Sequence, residues 1–360
     1  MSPDTASSDL EPAAVVTLGE TMGLFVDASG TALRGDRSTA TVDAGALTVG
    51  MGGAESNVAI GLARLGVPTA WVGRVGADSL GERIAEIIRA EGVLTLAIVN
   101  GSAPTGLMLK ERTPAGSKVS YYRAHSAGST LSAADIPGGL IEHAAVLHIT
   151  GITPGLSDSA AAAVSSAIEV ASAAGVAVSF DVNHRAGVWG ARDAAAVYRQ
   201  LASRSTIVFA GHDEAVLVLG RDGTPAELAA GIAALGPREV VIKLGSHGAF
   251  VWHGGTHTER AAVSVKVIDT VGAGDAFVAS YLAGIVAGLP IADRLRDATI
   301  AGALACTVPG DWEGLPSKPE LASARKRFSA VALDPNAAGQ SSSGARLADL
   351  HRDGVDPVER

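Results

Sequence analysis

The chain has 360 residues, with 28 Lys plus Arg against 37 Asp plus Glu and a formal net charge of −9 at pH 7. That balance argues against a nucleic-acid partner, since the densest basic cluster is the short Arg325-Lys326-Arg327 and no basic face can gather the phosphates of a polymer. At 47% hydrophobic and 18% charged residues, the chain can bury a full core and is not disordered as a whole.

Residues 1–13 have the polar composition of a disordered tail, and Met1–Pro12 carries neither a basic nor an apolar leader region. Strand-like runs then alternate with Ala-rich helical patterns. Val15–Leu18 precedes a helix over Glu55–Leu65, Thr69–Val72 a helix over Ser79–Glu91, and Ala145–Ile149 a helix over Ser157–Ala174. The rhythm continues with Val176–Phe180, helix Arg192–Arg204, Ile207–Phe209, helix Asp213–Leu219 and Val240–Leu244. This β-α-β alternation predicts a mainly parallel sheet covered on both faces.

Two stretches, residues 24–49 and 94–122, lack helical periodicity. Strand-like Leu107–Lys110 and Val119–Tyr122, joined by a turn at Pro114-Ala115-Gly116, predict a small β-sheet lying over the main one as a lid. The uncharged run Ala276–Ala292 is broken by Gly284, Gly288 and Pro290, which argues against a membrane span. Cys306 is the single cysteine, predicted to lie in a buried helix over Ala301–Val308, and its solitude points to a reducing, cytoplasmic compartment. Residues 335–360 read as a second tail, leaving 14–334 as one globular unit without an internal repeat.

The segment Asp269-Thr270-Val271-Gly272-Ala273-Gly274-Asp275-Ala276-Phe277 follows the strand-like Val263–Ile268 and opens a long apolar helix. Gly272 and Gly274 leave backbone N–H groups uncovered at a helix N-terminus, where the dipole favours an anion. In the first turn, Asp275 is placed to take a proton from a hydroxyl attacking phosphorus, although a Gly-rich helix start with a dipole-compensating Asp reads the same way. A second glycine pair, Gly52-Gly53, precedes the helix carrying Asn57 and lets a polar ligand approach backbone closely. The sequence contains no GxxxxGK[ST], no Gly-x-Gly-x-x-Gly after the first strand, no HExxH and no GxSxG, which removes P-loop, dinucleotide, zinc-protease and serine-hydrolase chemistry. His148, ending an apolar strand, reads as a core histidine.

Taken jointly and in order, Gly52-Gly53 with Asn57, the Gly73-x-x-Gly76-x-Asp78-x-x-Gly81 block and Asp269–Phe277 resemble the signatures of the PfkB, or ribokinase-like, sugar kinases over residues 14–330. The likeness is closest to members acting on 2-keto-3-deoxygluconate, through Gly52-Gly53-Ala54-Glu55, Tyr121-Tyr122-Arg123, Ser126-Ala127-Gly128-Ser129, His148–Thr153 and Asp181-Val182-Asn183-His184-Arg185. This resemblance implies a three-layer α/β/α core with a β-sheet lid and transfer of the ATP γ-phosphoryl to a primary hydroxyl of a sugar acid. It implies Asp275 as base, and Gly272, Ala273 and Gly274 as the anion hole. Gly52, Gly53, Asn57, Tyr121, Arg123 and Arg185 would hold the acceptor, the two guanidiniums matching a carboxylate. ATP would lie along Lys243, Gly245, Gly248, Gly272 and Gly274, with Mg²⁺ organised through water by Glu214, a monovalent cation as a further candidate, and oligomers formed through the lid. Gly211 stands where the resembling kinases commonly carry Asn, and Met108 where they often carry an aromatic. The rivals are a fructokinase-like enzyme with a neutral acceptor and a non-catalytic sugar or nucleotide sensor.

Overall fold

The computed structural model describes residues 13–27, 47–113 and 116–332. Among the described residues thirteen strands fall in chain order: Val15–Leu18 (β1), Met22–Asp27 (β2), Leu47–Gly52 (β3), Thr69–Gly76 (β4), Leu94–Asn100 (β5), Leu107–Thr113 (β6) and Gly116–Tyr122 (β7). They continue with Val146–Thr150 (β8), Ala177–Asp181 (β9), Ile207–Gly211 (β10), Glu239–Lys243 (β11), Ala249–His253 (β12) and Thr256–Arg260 (β13). Nine of them form one sheet in the order β13-β12-β11-β10-β9-β8-β1-β4-β5, parallel from β11 to β5 and closed at the other edge by the antiparallel β12 and β13. The remaining four make a separate small sheet, β3-β2-β6-β7.

Central strands are apolar on both faces because helices cover both. In β1, Val16 and Leu18 join one core cluster and Val15 the other. Helices Asp158–Ala174, Ala194–Ser203 and Pro225–Ala233 cover the first face, and Ala54–Arg64, Ala273–Val286 and Ile291–Ala305 the second. Local chemistry sets helix ends: the Ser157 hydroxyl accepts Ala160 N–H at 3.1 Å, and Gly175 stops the same helix at φ 73°. The three-layer core predicted from the alternation is therefore present. No helix among the described residues is long and apolar enough to cross a membrane.

Several expectations are corrected. Leu94–Asn100 is not lid: it pairs in parallel with β4 as the far edge of the main sheet, since its partly buried apolar residues pack on the core. Val263–Ile268 is not a strand. The main sheet already ends at β13, and Ile268 and Asp269 instead donate to the Cys306 carbonyl at 2.8 and 3.3 Å. Cys306 caps the end of helix Ile291–Ala305 and is half-buried rather than lying inside a helix. Ala13, assigned to the tail, belongs to the core. Residues 1–12, 28–46, 114–115 and 333–360, which take in most of the first tail, all of the second, part of the lid and the Pro114-Ala115 turn, lie outside the described residues.

The Gly73–Gly81 block serves packing. Asp78 Oδ1 accepts Gly81 N–H and Oδ2 accepts Thr105 N–H, both at 2.8 Å, tying a helix start to the segment that leads into the lid. His148 is fully buried with Nδ1 against the Ser179 hydroxyl at 3.0 Å, and burial holds it down at about 3, so it stays neutral.

Helix Ala273–Val286 is seated on the sheet by aromatics. Phe209 of β10, fully buried, meets Phe277 and Tyr281 edge-on at centroid distances of 6.5 and 5.4 Å. Phe209→Ala should cost about 3–5 kcal/mol in urea denaturation, and a loss below about 1 kcal/mol would mean that this contact does not seat the helix.

Candidate active site

A cavity of about 290 Å³ opens where the parallel strands end and the small sheet overhangs them. Glu20 follows β1, Ile152 follows β8, Asp181 and Asn183 end and follow β9, and Lys243 ends β11, so the main sheet presents its floor through the carboxyl ends of β1 and of strands on one side of it, next to the β1–β8 junction where the strand order reverses. That is the crevice that an open α/β sheet leaves where its strand order reverses. The small sheet supplies Leu24, Met108, Lys110, Val119 and Tyr121, with Arg123 just beyond β7.

Asp275 lies in the first turn of helix Ala273–Val286, and its Oδ2 accepts from Asn57 Nδ2 at 2.8 Å. Burial pushes the Asp275 carboxyl up to about 7, the charge of Asp181 adding to the effect while the Asn57 hydrogen bond, Arg185 and Lys243 oppose it. Asn57 is itself buried, and its Oδ1 has no partner, which leaves one acceptor beside Asp275 for a hydroxyl. Gly272 precedes the helix at φ 76°, and a Cβ there would collide with the Asp311 carbonyl, so only glycine fits. The Ala273 N–H already donates to the Thr270 carbonyl at 3.3 Å. An anion would therefore meet the first-turn amides at Gly274 and Asp275 and that of Gly272 rather than Ala273.

Three cavity-wall cations carry carboxylate partners. Arg123 is held by Glu20, Nε to Oε2 at 2.8 Å and Nη2 to Oε2 at 2.5 Å, and Ser126 donates to the same carboxylate. Lys243 grips Asp181 at 2.8 and 2.7 Å; burial alone would depress its ammonium, but the Asp181 and Glu214 charges outweigh that and hold it above the usual lysine range. Lys110 meets Asp269 at 2.5 Å. Arg185 is exposed, donates to the His184 carbonyl at 2.9 Å and has no carboxylate partner among the described ion pairs.

Of the residues singled out from the sequence, Gly52, Gly53, Asn57, Tyr121, Arg123, Arg185, Lys243, Gly272, Gly274 and Asp275 all line this one cavity. At Gly52 the space for a side chain is filled by the Asp311 carboxylate and the Met108 methyl, and at Gly53 by the Glu20–Thr21 backbone, so the pair serves protein packing as well as ligand access. Gly245 and Gly248 do not line the cavity; Gly245 opens and Gly248 follows a single 3-10 turn after β11. Both Glu214 oxygens are engaged, Oε1 with His184 N–H at 2.8 Å and Oε2 with Gly211 N–H at 2.6 Å, and they bind the ends of β9 and β10 together.

Sequence reasoning missed Glu20, Lys110 and Asp311. Glu20 was findable as a carboxylate directly after the first central strand, whereas Asp311, pushed up to about 6 by burial against the opposing charge of Lys110, lies in a loop without regular pattern.

A model of the pfkB family carbohydrate kinases matches residues 13–318. Over 315 residues the chain is 36% identical to a 2-dehydro-3-deoxygluconokinase of Bacillus subtilis (strain 168), covering 86% of this chain and 94% of that protein. It is 32% identical over 302 residues to a 2-dehydro-3-deoxygalactonokinase of Haloferax volcanii, covering 83% and 92%. Among solved structures, a PfkB protein from Polaromonas sp. JS666 aligns with a TM-score of 0.75 at 32% identity over 86% of this chain and 99% of that one.

The Asp275 environment has a consequence for stability. Its folded pKa of about 7 exceeds the ordinary value of 3.8, so the stability it contributes is fully present below about pH 4 and is lost as pH rises toward 7. Asp275→Asn, which cannot ionise, should melt with wild type near pH 4 and at a higher temperature by pH 8. Coincident melting curves at both pH values would show that the fold does not resist the charge.

Proposed function

We propose that this chain, which belongs to the pfkB family of carbohydrate kinases, transfers the ATP γ-phosphoryl group to the primary hydroxyl of a 2-keto-3-deoxy sugar acid of the gluconate type. The observation that carries the acid is that two guanidiniums, Arg123 and Arg185, line the same cavity as Asp275. Arg123 is already neutralised by Glu20, whereas Arg185 has no carboxylate partner in the described residues, so Arg185 offers the open fork and Arg123 a prepositioned donor in the same cavity. The similarity to both gluconate- and galactonate-type kinases fits this division, because it concerns the acid end that the two substrates share.

In this reading Asp275 accepts the proton of the attacking hydroxyl while Asn57 fixes its carboxylate by the 2.8 Å hydrogen bond and receives a second substrate hydroxyl on the free Oδ1. The amides at Gly272 and Gly274 face the charge that builds on the transferred phosphoryl group. ATP extends from there toward Lys243, Gly245 and Gly248. The described residues include no cluster of three or more His, Cys, Asp or Glu side chains able to cage a metal. Mg²⁺ keeps much of its water and is carried largely by phosphates; Asp181, which lines the cavity, would face its water shell beside Lys243, and Glu214, whose two oxygens each already accept a backbone N–H, would reach it only through their second lone pairs. When bound, the ion neutralises the β- and γ-phosphates. The exposed apolar residues Leu47, Val49, Tyr121 and Tyr122 on the two edge strands of the small sheet support association of two chains through the lid.

Coupled ADP-release assays on gluconate- and galactonate-type 2-keto-3-deoxy acids, fructose and ribose test this function. Turnover should need ATP and a divalent metal, favour the acids, and rise with pH through about 7 as Asp275 loses its proton. Asp275→Asn should lower kcat by about 10²- to 10⁴-fold. Arg185→Ala should lower kcat/KM for the acid by about ten- to hundredfold with much less effect on any neutral sugar. Outright preference for fructose would replace the sugar-acid reading with a neutral-sugar kinase.

A further inference from the structure

Lys110 is an internal residue of a lid strand, in register with Val26 of β2 and Val119 of β7. Its side chain is only 8% exposed and leaves the small sheet to meet Asp269 Oδ2 at 2.5 Å. Asp269 heads the loop that ends in Gly272, and its carboxylate gathers that loop: Oδ1 accepts Val271 N–H and Oδ2 accepts Gly310 N–H, each at 3.3 Å. Gly310 and Asp311 belong to the loop after helix Ile291–Ala305, which touches Gly272 so closely that a Cβ on Gly272 would strike the Asp311 carbonyl. One carboxylate thus joins the anion loop, the Asp311 loop and the lid. Among the described ion pairs, Lys110–Asp269 is the one that ties the small sheet to the anion loop.

An ammonium removed from water this far needs a partner, so the lid cannot lift from the loop without exposing or stranding both charges. Conversely, with Lys110 docked, the strand bearing Met108 and Lys110 and the neighbouring strand bearing Tyr121 are held over the cavity while Gly272 keeps its left-handed conformation. We propose that the Lys110–Asp269 ion pair couples the seating of the lid over the acceptor to the shape of the anion loop, which makes Lys110 a positioning residue for phosphoryl transfer. This rests on the kinase reading above.

The test compares acceptor-dependent phosphoryl transfer with acceptor-free ATP hydrolysis in wild type, Lys110→Met, Lys110→Arg, Asp269→Asn and the Lys110→Met/Asp269→Asn double variant, with melting curves for each. A loop misplaced by about an ångström can lose on the order of a hundredfold in rate. Lys110→Met should therefore lose about 10- to 100-fold in transfer kcat and a smaller factor in hydrolysis, which uses the anion loop but not the lid over the acceptor, so the ratio of transfer to hydrolysis drops. Lys110→Arg should recover most of the ratio, and the double variant should be no worse than the poorer single one, as expected for two groups acting as a unit. If Lys110→Met fails to fold, Lys110→Gln takes its place. Transfer and hydrolysis falling by the same factor, or single losses that multiply in the double variant, would overturn the coupling. A wild type without acceptor-dependent turnover would remove the kinase reading itself, whereas normal wild-type transfer with an unchanged ratio in Lys110→Met would remove only the coupling.

Discussion

The arrangement depends on a carboxylate held in the first turn of an apolar helix wedged between a sheet and its neighbouring helices. At a helix N-terminus the dipole alone would favour the Asp275 anion, but burial prevails and its affinity for a proton sits near neutrality. The carboxyl lines the cavity but its place is fixed, because Phe277 and Tyr281 of the same helix are locked against Phe209 and because Asn57 holds Oδ2. A carboxyl in this state can take a proton from a hydroxyl at pH 7, and its neighbourhood must not add uncompensated charge. The wall accordingly pairs Lys243 with Asp181, Arg123 with Glu20 and Lys110 with Asp269. Such buried pairs add little net stability, and what they supply is fixed geometry around the reacting groups.

The glycines follow from the same crowding. Gly272 is required by a left-handed backbone pressed on the Asp311 carbonyl, and Gly52 by the Asp311 and Met108 side chains that take the place of its own. Backbone thus comes close to a ligand at these points because side chains from elsewhere have filled the space on the other side. Arg185 is the exception in the wall, exposed and without an acidic partner among the described residues, and so the place where a substrate carboxylate adds a contact rather than competing for one.

Much of this was legible in the sequence because it is local. Strand and helix alternation, the Asp269–Phe277 segment and the Gly52–Asn57 helix start each carry their geometry within about ten residues, and the structure places their side chains around one cavity. What was not legible is relational. Leu94–Asn100 looks like lid strand until β4 is seen to offer it a parallel edge, and Val263–Ile268 has strand composition but meets a sheet already closed by β13. The partners of the cations were hidden for the same reason. Glu20 lies 103 residues from Arg123 and Asp269 lies 159 from Lys110, separations at which only the fold can show that two charges meet.

The central claim, that the fold holds the Asp275 carboxyl near neutrality while keeping it in contact with the cavity, can be measured without any substrate. Difference infrared spectroscopy between wild type and Asp275→Asn across a pH series isolates the carboxyl and carboxylate bands of this one side chain. A titration with its midpoint near pH 7 is the predicted result. A midpoint near the ordinary aspartate value of 3.8 would contradict the account, because Asp275 would then be a solvated dipole partner rather than a base held near neutrality.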